Sequence, residues 1–376
     1  MSLQTPKTFR QWFVAKPTAG DALGLEQFAL RELPIPDLQD GQALVRVKLI
    51  NIHPGTRSHI AKGWTPVGET NRGNFACAEV IRSRDKAFSE GDIIACQAGW
   101  QDYQVVSSDD RSVGYSTPSE MVKALNGTNS QWTYVFRPSM VKSWSPEVLL
   151  DMLGTSGLTA YFGMRECGPL MPSDRVAVAG ATGSVGSIVA QLARANGCYV
   201  VGFAGGADRC AWVLDTLGID RCLDYKAPDF EAQISAAFPD GVDVFSDGVG
   251  GPLTKTMTAI MNRNSRLFAY GGASAFYADK LDKTGTQPPS MRRMFGLSDE
   301  VEEVLKDKNI KSECWIVDEF YHERLRAEED LSRLMRRGVL KHINNVAEGF
   351  ENLPAAIVGL YETGRSGKLQ VRFEPS

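Results

Sequence analysis

The chain has 376 residues, a formal net charge of −4 and 43% hydrophobic residues, enough for two folded domains with sizeable cores and no need of disulfide staples. The slightly acidic balance, with no long block of like charge, excludes nucleic acid or an anionic membrane as the main partner. Seven cysteines, at 77, 96, 167, 198, 210, 222 and 314, show no C-x-x-C spacing and fit free thiols in a reducing compartment. No segment approaches the length of a membrane span, and the opening MSLQTPKTFRQWF has no apolar signal core, so a cytoplasmic location is expected.

Residues 1 to about 140 read as β-rich. Gly41 to Ile52 alternates almost strictly, with Leu44, Val45, Val47, Leu49 and Ile50 apolar, which predicts a strand. Shorter strands are expected over Gly73–Arg82 and Gly91–Ala95, with turns at Asp40-Gly41, Ser89–Asp92 and Gln97–Gly99. Such a set predicts a compact barrel-like domain. Residues 112–135 are polar and turn-rich and are expected to be a loop over one edge of it. From Glu147 the pattern becomes helical, with Leu149, Leu150, Met152 and Leu153, then Leu158, Tyr161 and Phe162.

Arg175 to Gly202 reads RVAVAGATGSVGSIVAQLARANGCYVVG. An apolar strand runs into a glycine turn (Gly180, Gly183, Gly186), a helix follows, and a second strand begins at Tyr199. Glycines let the backbone approach a dinucleotide pyrophosphate, and the helix N-terminus offers N–H groups and a positive dipole end. Ala181 stands at the first glycine of the usual G-x-G-x-x-G. Further strands are expected at Arg221–Asp224, Asp243–Asp247 and Ser265–Tyr270. Alternation of β and α predicts a parallel sheet with helices on both faces. Residues 279–300 look like a second loop. Lys368 to Phe373 alternates again and is expected to return to the first domain. The expected domains are 1–143 with 331–376, and 144–330.

The second strand ends Val200-Val201-Gly202-Phe203-Ala204-Gly205-Gly206, with no acid at its tip to bind both ribose hydroxyls of NAD. Arg209 follows shortly, and Tyr225 lies after the next strand. A cation there would attract a ribose phosphate, so NADP(H) is the expected cofactor. Arg209 is the candidate phosphate ligand and Tyr225 its helper.

Several segments together resemble one family. They are the glycine turn, Val200–Cys210 (VVGFAGGADRC), Asp224-Tyr225-Lys226, Asp243–Gly251 (DVFSDGVGG), Gly154–Phe162 (GTSGLTAYF) and Gly99–Tyr103 (GWQDY). The chain resembles the zinc-independent branch of the medium-chain dehydrogenase/reductases, the group of prostaglandin reductases and alkenal or curcumin double-bond reductases. The resemblance runs from about Leu30 to Phe373. It implies an α/β fold, with a Rossmann doubly wound parallel sheet plus a GroES-like β-barrel catalytic domain. It also implies NADPH-dependent reduction of an activated C=C bond in an α,β-unsaturated aldehyde or ketone, and a homodimer formed by edge-to-edge pairing of cofactor-domain sheets.

Zinc-dependent relatives carry G-H-E-x-x-G-x-V where this chain reads Gly73-Asn74-Phe75-Ala76-Cys77-Ala78-Glu79-Val80. Asn74 and Phe75 stand at the histidine and glutamate positions, so no metal is expected. Without a Lewis acid, hydride addition to an enone is the less demanding chemistry, because hydrogen-bond donors can stabilise the enolate oxygen. The family's donor tyrosine follows a C-G-x-I-S-x-Y element. The matching stretch is Tyr270-Gly271-Gly272-Ala273-Ser274-Ala275-Phe276-Tyr277. Strict spacing puts Phe276 at the tyrosine position; a one-residue bulge would let Tyr277 serve, and Ser274 is the alternative donor.

By the same resemblance, Thr182, Ser184 and Val185 line the pyrophosphate turn. Asp247, Gly248 and Val249 sit beside the nicotinamide ribose, and Gly271 and Gly272 permit close approach to the nicotinamide. Gly364-Arg365-Ser366-Gly367-Lys368 matches an N-F-G-K element that reaches the cofactor, with Arg365 in place of the asparagine and Lys368 as its lysine. Ile52-His53-Pro54-Gly55-Thr56-Arg57 matches a D-P-Y-M-R element, with Gly55 in place of an aromatic residue. Trp64, Trp132, Tyr134 and Phe295 are either core or pocket lining. A quinone reductase is the alternative enzyme, and a dinucleotide-binding sensor or structural protein the alternative of another class.

Overall fold

A computed structural model of the chain describes residues 6–18, 23–110, 133–167, 169–273, 291–314, 317–361 and 366–373. It divides into two compact units, Met1–Asp151 with Asn344–Ser376, and Met152–Ile343.

The first unit opens with β1 (Thr8–Val14) and β2 (Phe28–Pro34), an antiparallel pair. Its larger sheet is organised on β3 (Ala43–Asn51). Seven of the nine β3 side chains are buried, and the strand's backbone is paired along both edges. β4 (Asn74–Ser83) runs antiparallel along one edge, and β5 (Ile93–Ala98) pairs beyond it. β6 (Tyr103–Val106) takes part of the other edge, opposite Ala43–Arg46. β7 (Tyr134–Val135) pairs with β5, so the end of the expected 112–135 loop is a short strand. Residues 111–132 lie outside the described residues. Val45, Val47, Ile50, Ala78, Ile94 and Trp100 form one buried cluster.

The second unit holds six strands, β8 (Arg175–Val178), β9 (Tyr199–Ala204), β10 (Arg221–Asp224), β11 (Val242–Asp247), β12 (Met261–Ala269) and β13 (Lys311–Glu313). They form one sheet in the order β10-β9-β8-β11-β12-β13, every pairing parallel. β8, β9 and β11 are almost uninterrupted apolar runs, as strands covered on both faces must be. Helices Ser184–Ala195, Ala207–Leu217, Phe230–Ala237 and Pro252–Ile260 alternate with them. This is the Rossmann order with its switch point between β8 and β11, as expected from the alternation of elements.

Part of the expected 279–300 loop is helical instead. Met291–Met294 forms one turn, and Asp299–Asp307 is a helix whose Ser298 Oγ caps it by accepting from Val301 N. Residues 274–290 are outside the described residues. After helix Arg324–Arg336, β14 (Asn344–Glu348) pairs parallel with β15 (Lys368–Arg372). β15 lies antiparallel to β3 at Leu49–Asn51, so the last strand completes the first unit, as its alternation predicts.

Candidate cofactor site

The predicted cofactor residues of the second unit gather at the C-terminal ends of β8 to β12, where ligands of open parallel sheets bind. The turn after β8 closes when Gly183 N donates to Gly180 O at 2.8 Å. Gly183 is the N-cap of helix Ser184–Ala195 and supplies no side-chain cap. That helix end is therefore shaped to offer backbone N–H groups to an anion. A Cβ at Gly186 would lie 2.3 Å from Gly180 O, so only glycine lets the first helical turn pack onto the strand end. Thr182, Gly183, Ser184 and Val185 are all half-buried along this turn.

The next corner follows β9. Arg209 sits half-buried in the first turn of helix Ala207–Leu217, and Tyr225 is 48% exposed after β10. The two sequence candidates for the ribose phosphate thus come from adjacent strand ends. A residue that sequence reasoning passed over joins them. Asp224 Oδ1 accepts from Gly206 N at 2.8 Å and from Lys226 N at 2.9 Å. These N–H groups hold its carboxyl below the ordinary carboxylate range. A Cβ at Gly205 would meet Tyr225 Oη at 2.5 Å and Lys226 Cε at 3.2 Å. A phenol and a lysine therefore close over a bare backbone, forming a cradle that any larger residue at 205 would fill. Beside it, a Cβ at Gly206 would meet nothing within 4 Å. The ground beside Gly206, next in sequence to this cradle, is therefore open.

The third corner is the turn after β11. Asp247 is fully buried, and burial pushes its carboxyl upward. Its oxygens accept from Val249 N, Gly250 N and Thr254 Oγ1. The carboxylate thus folds its own loop onto helix Pro252–Ile260. That loop carries Gly248 and Val249, and Val249 Cγ2 lies 3.5 Å from where a Cβ of Gly180 would stand. A Cβ at Gly271 would lie 2.9 Å from Gly248 O, and a Cβ at Gly250 would lie 3.4 Å from Gly272 Cα. The structure therefore brings the glycine turn, the Asp247 loop and the Gly271-Gly272 pair together. Ser274, Tyr277 and Arg365 lie outside the described residues.

Lys368 belongs to the first unit. It is 6% exposed, and its Nζ lies 3.0 Å from Nδ1 of His53, itself 5% exposed. The ammonium is turned inward onto the residue that precedes helix Pro54–Ala61. Their separation by 315 positions hid this pairing in the sequence. Asn74, where zinc-dependent relatives carry histidine, spends its amide on structure. Its Nδ2 donates to Asn71 O at 2.6 Å and Ala98 O at 3.1 Å, and its Oδ1 accepts from Thr56 Oγ1. Phe75 instead sets its ring edge-on to His53, with centroids 4.8 Å apart. This donor set does not suit a tetrahedral zinc. Among the described residues, no cluster of three His, Cys, Asp or Glu side chains could hold a metal ion, and no helix is long and apolar enough to cross a membrane.

Comparison with known proteins agrees with this arrangement. Residues 10–113 match the family model of the N-terminal domain of oxidoreductase, and residues 184–306 that of zinc-binding dehydrogenase. The NADPH-dependent curcumin reductase of Escherichia coli (strain K12) is 30% identical over 369 residues, covering 96% of both chains. Prostaglandin reductase 1 of Bos taurus is 28% identical over 370 residues, covering 97% of this chain and 98% of the relative. The crystal structure of CurA from Vibrio vulnificus in complex with NADPH is 26% identical and has a TM-score of 0.76. It covers 98% of this chain and is itself covered completely, at 100%. With the fold, the cofactor corners and the replaced zinc position in place, the chain belongs to the zinc-independent branch of the medium-chain dehydrogenase/reductase family.

Proposed function

We propose that this protein is an NADP(H)-dependent oxidoreductase that reduces the activated C=C bond of α,β-unsaturated aldehydes or ketones without a metal. The observation that carries the reading is the convergence of three corners at the C-terminal ends of the parallel strands: the glycine turn, the corner of Arg209 and Tyr225, and the Asp247 loop. The relatives named as curcumin, prostaglandin and 2-alkenal reductases support the substrate class. When bound, NADPH supplies the hydride that adds to the β-carbon.

The residues of this chain bind and orient. Backbone N–H groups of Thr182, Ser184 and Val185 hold the pyrophosphate, helped by the helix dipole. Arg209 and Tyr225 hold the ribose phosphate, the guanidinium by charge-assisted hydrogen bonds. Gly248, Val249, Gly271 and Gly272 present bare backbone to the nicotinamide end, and Asp247 holds that backbone in shape. Tyr277, or Ser274 in its place, donates a hydrogen bond to the substrate carbonyl oxygen as charge develops there. Arg365 adds a positive charge toward a cofactor phosphate, and Lys368 anchors the same element.

The free state of every cysteine among the described residues supports a cytoplasmic setting. The strand β13, terminal in the six-stranded order, supports a homodimer formed by pairing two such edges. Incubation with NADPH and trans-2-alkenals or quinones, following nicotinamide absorbance, tests the reading. Rapid loss with alkenals is expected; turnover with quinones alone would replace it by the quinone alternative.

A further inference from the structure

Tyr270, in the second unit, departs from the resemblance. It stands where the C-G-x-I-S-x-Y element begins with cysteine, immediately after β12. Its neighbours belong to three different strand ends. Tyr270 Oη donates to Ala179 O, at 3.4 Å, just before the glycine turn. Its ring covers Gly248, where a Cβ would lie 2.5 to 2.7 Å from the ring and hydroxyl atoms. Its own N–H donates to Asp247 O at 2.9 Å. Phe268 backs the ring, with centroids 5.2 Å apart. The aromatic side chain is therefore wedged between the β8 turn, the β11 loop and the start of the Gly271-Gly272 pair.

From this geometry we infer that Tyr270 is a positioning residue, which sets the spacing of the β8 glycine turn and the Asp247–Gly251 loop for the nicotinamide half of the cofactor. The inference rests on the NADP(H) reading above and adds a residue to it. The sheet order separates the two halves: Arg209 and Tyr225 follow β9 and β10, on one side of β8, while Tyr270 follows β12, on the other. Loss of the ring should thus disturb one half of the site and spare the other. Burial and the nearby Asp247 push the phenol upward. It remains an O–H donor throughout the working pH range, which suits a positioning part and not an acid catalyst.

The test compares binding of NADPH with that of 2′,5′-ADP, which lacks the nicotinamide half, for the full-length protein by titration calorimetry. Tyr270→Ala is expected to raise the NADPH Kd about tenfold while the 2′,5′-ADP Kd stays within about twofold. Tyr270→Phe, which keeps the ring over Gly248, should restore most of the loss. Gly248→Ala should mimic Tyr270→Ala, and its penalty should shrink when the two changes are combined. Should Tyr270→Ala fail to fold, Gly248→Ala alone carries the test, with the same selective loss of NADPH over 2′,5′-ADP expected. An unchanged NADPH Kd in Tyr270→Ala, equal weakening of both ligands, or additive effects of the two substitutions would overturn the inference. A wild-type protein that binds 2′,5′-ADP and NADPH not at all would instead overturn the cofactor reading on which it rests.

Discussion

The Nζ of Lys368 lies 3.0 Å from Nδ1 of His53, and both side chains are buried. An ammonium has no acceptor, so it donates to Nδ1 and leaves the imidazole proton on Nε2. Burial, with the neighbouring ammonium, holds His53 well below its usual range and therefore neutral. Burial also lowers Lys368 to about 8, against a smaller upward pull from Asp151.

A pH dependence follows from that depressed lysine. Below about pH 8 the lysine is charged in both folded and unfolded chains, and the fold bears its full desolvation cost. Between about 8 and its ordinary value of 10.5, the unfolded chain binds the extra proton, so stability rises with pH from this group. Buried Cys77, pushed up to about 12, acts with the opposite sign in an overlapping range, so the difference between two proteins is the informative quantity. Lys368→Met should gain most over wild type below pH 8, and the gain should shrink by on the order of 3 kcal/mol as pH rises to 10.5. Urea midpoints across that range measure it, and a gap constant with pH would contradict the assignment.

The Gly205 cradle makes a prediction about cofactor choice. Arg209→Glu should weaken NADPH by about tenfold or more while leaving NADH nearly unaffected. Gly205→Ala, whose Cβ would collide with Tyr225 Oη, should shift the same ratio in the same direction. Kd values for both nucleotides check this; equal effects on the two would remove the phosphate assignment.

Asp247 makes a prediction about stability. Its buried carboxylate accepts from Thr254 Oγ1 as well as from two backbone N–H groups. Thr254→Val keeps the shape and removes one donor, at a cost of about 1–3 kcal/mol. Denaturant midpoints at neutral pH should show the loss, and no change would mean that the carboxylate finds another donor.

Tyr277→Phe should lower kcat more than it weakens NADPH binding, because a hydrogen bond made to developing charge matters most in the transition state. An unchanged kcat would transfer the donor role to Ser274.

The cofactor lobe was legible because its signals are local. Strand, glycine turn and helix occupy Arg175 to Gly202 without interruption, and Arg209 follows the next strand directly. Contacts between distant segments were not legible: His53 with Lys368, Asp224 with Gly206, or Tyr270 with Gly248, since no short-range period encodes them. The helix Asp299–Asp307 was missed although its signals were present. Ser298 caps an acidic first turn, and Val301 and Leu305 repeat at a spacing of four. The glycine and proline content just upstream masked it. The sequence places Asp247 and its loop beside the nicotinamide ribose but does not say where the carboxylate turns: it turns into its own loop, held by backbone N–H groups that no side-chain pattern reveals.

Everything proposed for this site converges on hydride delivery to a carbon–carbon double bond. The most direct measurement uses NADPH deuterated at C4 with a trans-2-alkenal, followed by NMR of the product. A saturated aldehyde carrying deuterium on its β-carbon is expected. An allylic alcohol with deuterium on the former carbonyl carbon, or no consumption of NADPH, would contradict it.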